Sequence, residues 1–134
     1  MRVLLDTHIL LWALTDDPRL PTPARAIITD GGNAVFYSAA SLWEIAIKHA
    51  AHPDRMPVGA REIADYCSEA TFDPLPIAER HVLALETLTR PADAPPHHDL
   101  FDRIMIAQAK TDTLLFITHD NLIPAYNEPC ILAM

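Results

Sequence analysis

Four short apolar runs constrain the fold of this chain more than any other feature. Val3-Leu4-Leu5, Ala34 to Tyr37, Leu114 to Ile117 and Cys130 to Ala133 carry no charge and do not alternate apolar with polar residues. A strand covered on one face alternates with period two, whereas a strand covered on both faces is continuously apolar. Helical segments separate the runs. Thr7 to Leu14 reads as a helix closed by Asp16-Asp17-Pro18, and Thr22-Pro23 opens another through Ile28, with Thr as cap and Pro at the first helical position. Gly31-Gly32-Asn33 is a turn, and Ser41-Leu42-Trp43-Glu44 has the spacing of a capping box, with Leu42, Ile45 and Ala46 on one face of the helix it opens. Val58 to Ala70 reads as a helix and Phe72 to Leu75 as an edge-like extended piece. Pro76 starts a helix with Ala78, Val82 and Leu85 on one face, and Arg90 to His98 is a proline-rich loop. Asp99 to Asp112 is apolar nearly all round and belongs at the centre, and Asn121 to Tyr126 is a short helix. The pattern predicts an α/β chain, a single three-layer α/β/α domain over residues 1–134 with a mostly parallel central sheet.

Charge and glycine content remove several functions. Lys+Arg 10 against Asp+Glu 18 gives 10 − 18 = −8, the wrong sign for a duplex-DNA footprint. Gly31, Gly32 and Gly59 are the only glycines and cannot form a GxGxxG fingerprint or a P-loop. Half the chain is apolar, enough for a core and too much for disorder. Cys67 and Cys130 are too few for a disulfide framework or a zinc knuckle and are expected as reduced, mostly buried thiols. No run approaches the ~18 apolar residues of a membrane span. The opening MRVLLDTHILLWAL has no small-residue cleavage site, so a cytoplasmic location is expected.

Four acids occupy equivalent places in the pattern. Asp6 follows the first run, and Asp120 lies two residues beyond Thr118, after the run ending at Ile117. Glu44 lies in the first turns of the helix after the second run, and Asp102 in the first turn of the long apolar helix. In an open α/β sheet, strand carboxyl ends and the following helix N-termini share the edge where ligands bind. Carboxylates gathered there repel and raise one another's pKa until a cation or protons relieve them, and hard oxygen donors suit Mg²⁺ or Mn²⁺. Singly, each acid also has a structural role open to it. Asp6 and Asp120 can cap, Glu44 can complete the capping box or pair with Lys48, and Asp99 can be an N-cap with Arg103 as its i+4 partner. Asp102 has Ile106 at i+4 and therefore no helical cation, and the helix dipole offers it only ~0.3–1 kcal/mol. The seven histidines show no tight ligand spacing, and His98 and His119 are the two that flank the expected site. Trp12 and Trp43 fall in apolar helical patterns and read as core or subunit packing.

Val3-Leu4-Leu5-Asp6-Thr7-His8, Ser41 to Lys48 (SLWEIAIK), Asp99 to Ala109 (DLFDRIMIAQA) and Thr118-His119-Asp120, in that order and spacing, resemble PIN domains. They are most similar to the VapC-like toxin branch of bacterial type II toxin–antitoxin systems, and the likeness runs from Met1 to about Tyr126. That resemblance implies a metal-dependent ribonuclease neutralised by a small VapB-like antitoxin encoded beside it, as a homodimer or a toxin–antitoxin hetero-oligomer. Asp6, Glu44, Asp102 and Asp120 match the family's acidic quartet. One departure stands out: His97-His98-Asp99-Leu100 occupies the place where the branch often has His-Arg-Asp-Pro, so a titratable ring replaces a permanent cation.

On this resemblance Asp6 and Asp102 hold a first Mg²⁺, with Mn²⁺ as the alternative, and Asp120 completes that site or bridges to a second ion. Glu44 ligates or orients the attacking water. Thr7 and Thr118 support the acids, contact phosphate or act as caps; Asp99 is mainly structural or supports the acids from behind; and Lys48, Arg103 and Lys110 are the cations that draw RNA to an acidic chain. Other metal-dependent phosphoesterases remain an alternative, although Asp6-Thr7-His8 lacks the second acid of the haloacid-dehalogenase type. A receiver domain would need paired acids after the first strand and a Lys after the last. A catalytically silent PIN-like module that only binds a protein partner is the remaining reading.

Overall fold

The computed structural model describes residues 1–134. Five strands, β1 (Arg2–Leu5), β2 (Ala34–Ser38), β3 (Asp73–Leu75), β4 (Leu115–Thr118) and β5 (Ile131–Ala133), form one sheet. Its order is β3-β2-β1-β4-β5 and every pairing is parallel. The helices are α1 (Thr7–Leu14), α2 (Thr22–Thr29), α3 (Ala39–Ala51), α4 (Ala60–Glu69), α5 (Glu79–Ala84) and α6 (Leu100–Asp112), with 3-10 turns at Leu85–Thr87 and Ile123–Tyr126. The chain builds outward from β1 to β3, then returns to lay β4 against the other side of β1. The strand order therefore reverses between β1 and β4, and a crevice opens at their carboxyl ends.

Unalternating strands are explained by two cores. Leu4 and Phe116 point into a core completed by α6, with Met105, Ile106 and Ala109, and by Ile123 and Tyr126. Val3, Leu5, Val35, Tyr37 and Ile117 point into the other, against Ile9 and Leu10 of α1, Ala24 of α2, and Ile63 and Cys67 of α4. Successive residues of one strand face opposite helical layers, so the central strands β1, β2 and β4 are apolar along most of their length, whereas the edge strand β3 carries exposed Asp73 and Pro74. No helix is long and apolar enough to cross a membrane.

Three local expectations are corrected. The cap of α3 is Ser38, whose Oγ accepts from the Ala40 N–H at 2.9 Å, so Ser41 does not open a capping box and Glu44 sits a turn deeper in the helix. Within α3, Ile45 is buried while Ala46 is exposed. In α5, Val82 and Leu83 are exposed and the buried residue is His81. A polar clamp sets that rotation: Arg80 donates to both carboxylate oxygens of Asp112 at 3.0 Å, and His81 Nε2 donates to Oδ2 at 3.0 Å. His81 Nδ1 accepts from the Ala78 N–H at 2.9 Å, which fixes the proton on Nε2. The Arg80 guanidinium holds the Asp112 carboxyl below the usual carboxylate range.

Thr113 closes α6 in the left-handed region, at φ 57 and ψ 53. An L residue there costs roughly 1–2 kcal/mol, and glycine costs roughly 0.5–1 kcal/mol in chain entropy. Thr113→Gly is therefore expected to stabilise the protein by about 0.5–1 kcal/mol, read as a higher urea midpoint at unchanged slope.

Candidate metal centre

Asp6 directly follows β1 and caps α1: its Oδ1 accepts from the Ile9 N–H at 2.9 Å. Its Oδ2 accepts from the Thr118 hydroxyl at 2.5 Å, and Thr118 Oγ1 in turn accepts from the Asp120 N–H at 3.1 Å. Thr118, fully buried at the end of β4, thus ties together the acids that follow the two central strands. Asp120 Oδ1 accepts from the Leu122 N–H at 2.9 Å, which holds the loop after β4. The capping roles open to Asp6 and Asp120 are real, and both residues still line the crevice.

From the helices come Glu44 and Asp102. Glu44 is buried in α3, its Oε2 2.5 Å from the Lys48 ammonium one turn on. Asp102 stands in the first turn of α6, which Asp99 caps by accepting from the Phe101 and Asp102 N–H groups at 2.9 and 3.0 Å. Asp6, Glu44, Asp99, Asp102 and Asp120 share one cavity of about 90 Å³ with Thr7, His8 and Lys48, and no apolar residue lines it. That volume admits an ion with several waters.

Crowding and burial disfavour the charged form of these acids. Burial, then the charges of Asp99, Asp6, Asp120 and Glu44, push Asp102 up to about 8. Burial also raises Asp6, against the pull of the Ile9 N–H and the Thr118 hydroxyl. Lys48 is the only Lys or Arg lining the cavity. Excess carboxylate in a small polar cavity suits a hard dication, so the donor set fits Mg²⁺ or Mn²⁺.

Sequence spacing missed His97. The loop before α6 folds back so that His97 Nε2 lies 3.1 Å from Asp102 Oδ2, while Nδ1 lies 2.7 Å from Tyr126 Oη. The donor atoms of His97, Asp102 and Asp120 all lie within 4.8 Å of one another. Burial lowers the His97 pKa, with Arg90 and Arg103 adding to that and Asp120 and Asp99 opposing it. The available signal was a histidine shortly before a helix whose first turn carries an unpaired acid. His98, by contrast, is exposed, and His119 Nδ1 bonds the Met134 carbonyl.

The remaining expected residues divide. Thr7 hydrogen-bonds Ser41 at 2.9 Å, joining α1 to α3 beneath the cavity. Arg103 is outside it, its Nε buried without a hydrogen-bond partner in a groove with Leu85, Glu86 and Leu100. It makes no ion pair with Asp99; the bond between them is the helical N–H to carbonyl contact at 3.1 Å. Lys110 is near the far end of α6, eight residues or about 12 Å from Asp102, and binds Glu128 at 2.8 Å. Trp43 is 51% exposed and packs edge-on against Phe101, so it is not a core residue, whereas Trp12 is half-buried between His8 and His119. Cys67 and Cys130 are free thiols.

The fold and the site together define a parallel α/β/α protein with an acid-lined cavity at the switch point of its sheet. The family model of the PIN domain matches residues 3–128, and the chain belongs to that family. Its fold is similar to a chain in the crystal structure of VapBC2 from Rickettsia felis bound to a DNA fragment from their promoter. The TM-score is 0.69 and the identity 14%, over 100% of this chain and 98% of that one. It is also similar to a chain of a toxin–antitoxin complex from Klebsiella pneumoniae, with TM-score 0.61 and 20% identity over 98% and 96% of the two chains. No curated protein sequence matches it.

Proposed function

We propose that this chain is the toxin of a type II toxin–antitoxin pair, a VapC-like ribonuclease that hydrolyses RNA phosphodiester bonds with Mg²⁺ or Mn²⁺. The observation that carries this reading is the meeting of Asp6, Glu44, Asp102 and Asp120 in one small cavity, although the first and last are 120 − 6 = 114 residues apart. Asp6, Asp102 and Asp120 offer the ion carboxylate oxygens, with Glu44 as a further ligand. A divalent ion bound there would stabilise charge on the phosphodiester and on the water that attacks it.

The chain's own groups do the rest. Thr118 and the Ile9 N–H hold the Asp6 carboxylate in one orientation, so no reorganisation is needed when substrate arrives. Glu44, tethered by Lys48, orients the attacking water or takes its proton. Lys48, exposed at the rim, meets the incoming phosphate, and in-line attack leaves a 5′-phosphate and a 3′-hydroxyl. Thr7 keeps α1 and α3 in register beneath the acids, and Asp99 fixes the N-terminus of α6. The two toxin–antitoxin structures of similar fold support a VapB-like antitoxin as partner, which an Arg or Lys entering the acidic cavity would anchor. The working form is then a homodimer or a hetero-oligomer of single-domain chains in the cytoplasm. The purified chain is expected to cleave RNA with Mg²⁺ or Mn²⁺ and to stop when EDTA is added. Cleavage that persists in EDTA overturns the reading.

A further inference from the structure

We propose that His97 Nε2 is a nitrogen ligand of the divalent ion and tilts this centre toward Mn²⁺ over Mg²⁺. The inference rests on the acidic metal centre proposed above. An octahedral ion with bonds of about 2.1 Å places adjacent donors about 3.0 Å apart and opposite donors about 4.2 Å apart. His97 Nε2 and Asp102 Oδ2 are 3.1 Å apart, as adjacent ligands would be. With Asp120 they form a set whose donor atoms all lie within 4.8 Å of one another.

The ring is held for this task. Its side chain is 3% exposed, and Tyr126 meets it edge-on with ring centroids 5.4 Å apart. Tyr126 Oη lies 2.7 Å from Nδ1, so in the tautomer in which Nδ1–H donates to that hydroxyl the Nε2 lone pair is free for the ion. Metal-bound histidines characteristically donate their second ring N–H to a carboxylate, a backbone carbonyl or water, and the Tyr126 hydroxyl stands in that place here. Tyr126 is itself buried, under the Arg90 guanidinium at 5.2 Å from its ring centroid. Imidazole is a softer donor than carboxylate or water, the ligands Mg²⁺ favours, so nitrogen ligation benefits the transition-metal ion.

Electron spin-echo spectroscopy of the full chain loaded with Mn²⁺ reads the ligand directly. Coupling to a nitrogen nucleus is expected in the wild-type protein and in Tyr126→Phe, and is lost in His97→Ala. His97→Ala should also weaken Mn²⁺ binding about tenfold or more and Mg²⁺ binding by less than about twofold. Mn²⁺ bound to the wild-type protein without nitrogen coupling overturns the proposal and leaves His97 as a hydrogen-bond partner of Asp102. If the wild-type protein binds neither ion, the acidic centre falls, and His97 ligation with it.

Discussion

Asp102→Asn is expected to lower RNA cleavage by about a thousandfold or more while the chain stays folded. Charge stabilisation by a bound dication is worth several kcal/mol, and about 4 kcal/mol corresponds to a thousandfold in rate. Asp102 is the cleanest position for this test because its carboxylate does little for the fold. Its one side-chain hydrogen bond is to His97, and an amide of the same shape keeps that contact. Asp6 is different. Its oxygens cap α1 and take the buried Thr118 hydroxyl, so Asp6→Ala would also remove a cap worth about 1 kcal/mol and strand a donor at about 1–3 kcal/mol. Glu44 would leave the Lys48 ammonium without its partner. The check is single-turnover cleavage of one RNA at saturating Mn²⁺, beside a circular dichroism spectrum of each protein. A folded Asp102→Asn that keeps more than about a tenth of wild-type activity removes Asp102 from the reaction.

Most of the fold was legible because it is written in burial on both faces. The continuous apolar runs mark strands to within about a residue: Leu114 to Ile117 is expected, and β4 spans Leu115–Thr118. Strand order is not local information, and only the position of four acids after strands or at helix starts hinted that β1 and β4 are neighbours. Where reading failed, a distant contact had decided between equal local options. Ser38 and Ser41 lie one turn apart, and either can cap α3. Ser38 does so while donating to Gln108 Oε1 at 2.6 Å, and Ser41 turns inward to Thr7. Those partners lie 70 and 34 residues away, beyond any capping pattern.

The same limit applies to the site. Acids were found because they stand at fixed places relative to strands and helices, which periodicity reveals. His97 sits in a loop, and its approach to Asp102 depends on the path of that loop and on Tyr126, 29 residues later. Likewise His81 was hidden behind an apparent apolar face, because its partner Asp112 lies 31 residues away in sequence, at the end of α6. Charge chemistry set by a residue's place beside a strand end or helix start is readable; charge chemistry set by a partner distant in sequence is not.

The crowding of acids also dictates how stability depends on pH and metal. In divalent-free buffer the protein is expected to lose stability as pH rises from about 4 to about 8. Asp102 has a folded value of about 8 against 3.8 for the free side chain, so the folded state holds its proton more tightly throughout that interval. The unfolded state binds fewer protons there, and the unfolding free energy falls with pH; the contribution is fully present below about 4 and gone above about 8. Asp6, also raised, acts in the same direction. Asp17 and Asp112 are shifted downward, so their opposite effect is confined to pH below 3.8. His97, lowered from 6.5, opposes the loss only up to about that pH, which makes the decline steepest between 6.5 and 8. Lys48 faces the cavity from α3 but is already engaged by Glu44, so it does not neutralise Asp102. The total is on the order of a few kcal/mol. Asp102→Asn removes the main cause, and should be more stable than wild type at pH 8 and flatter with pH. Excess Mn²⁺ should restore wild-type stability at pH 8, by about 2.7 kcal/mol at a hundred times its dissociation constant, and should do far less for Asp102→Asn. Urea midpoints at pH 5, 6.5 and 8, in EDTA and in Mn²⁺, separate these outcomes. A wild-type midpoint that is level or rising between pH 6.5 and 8 in EDTA would mean that the acids do not burden one another, and the physical reason for a dication at this cavity would be gone.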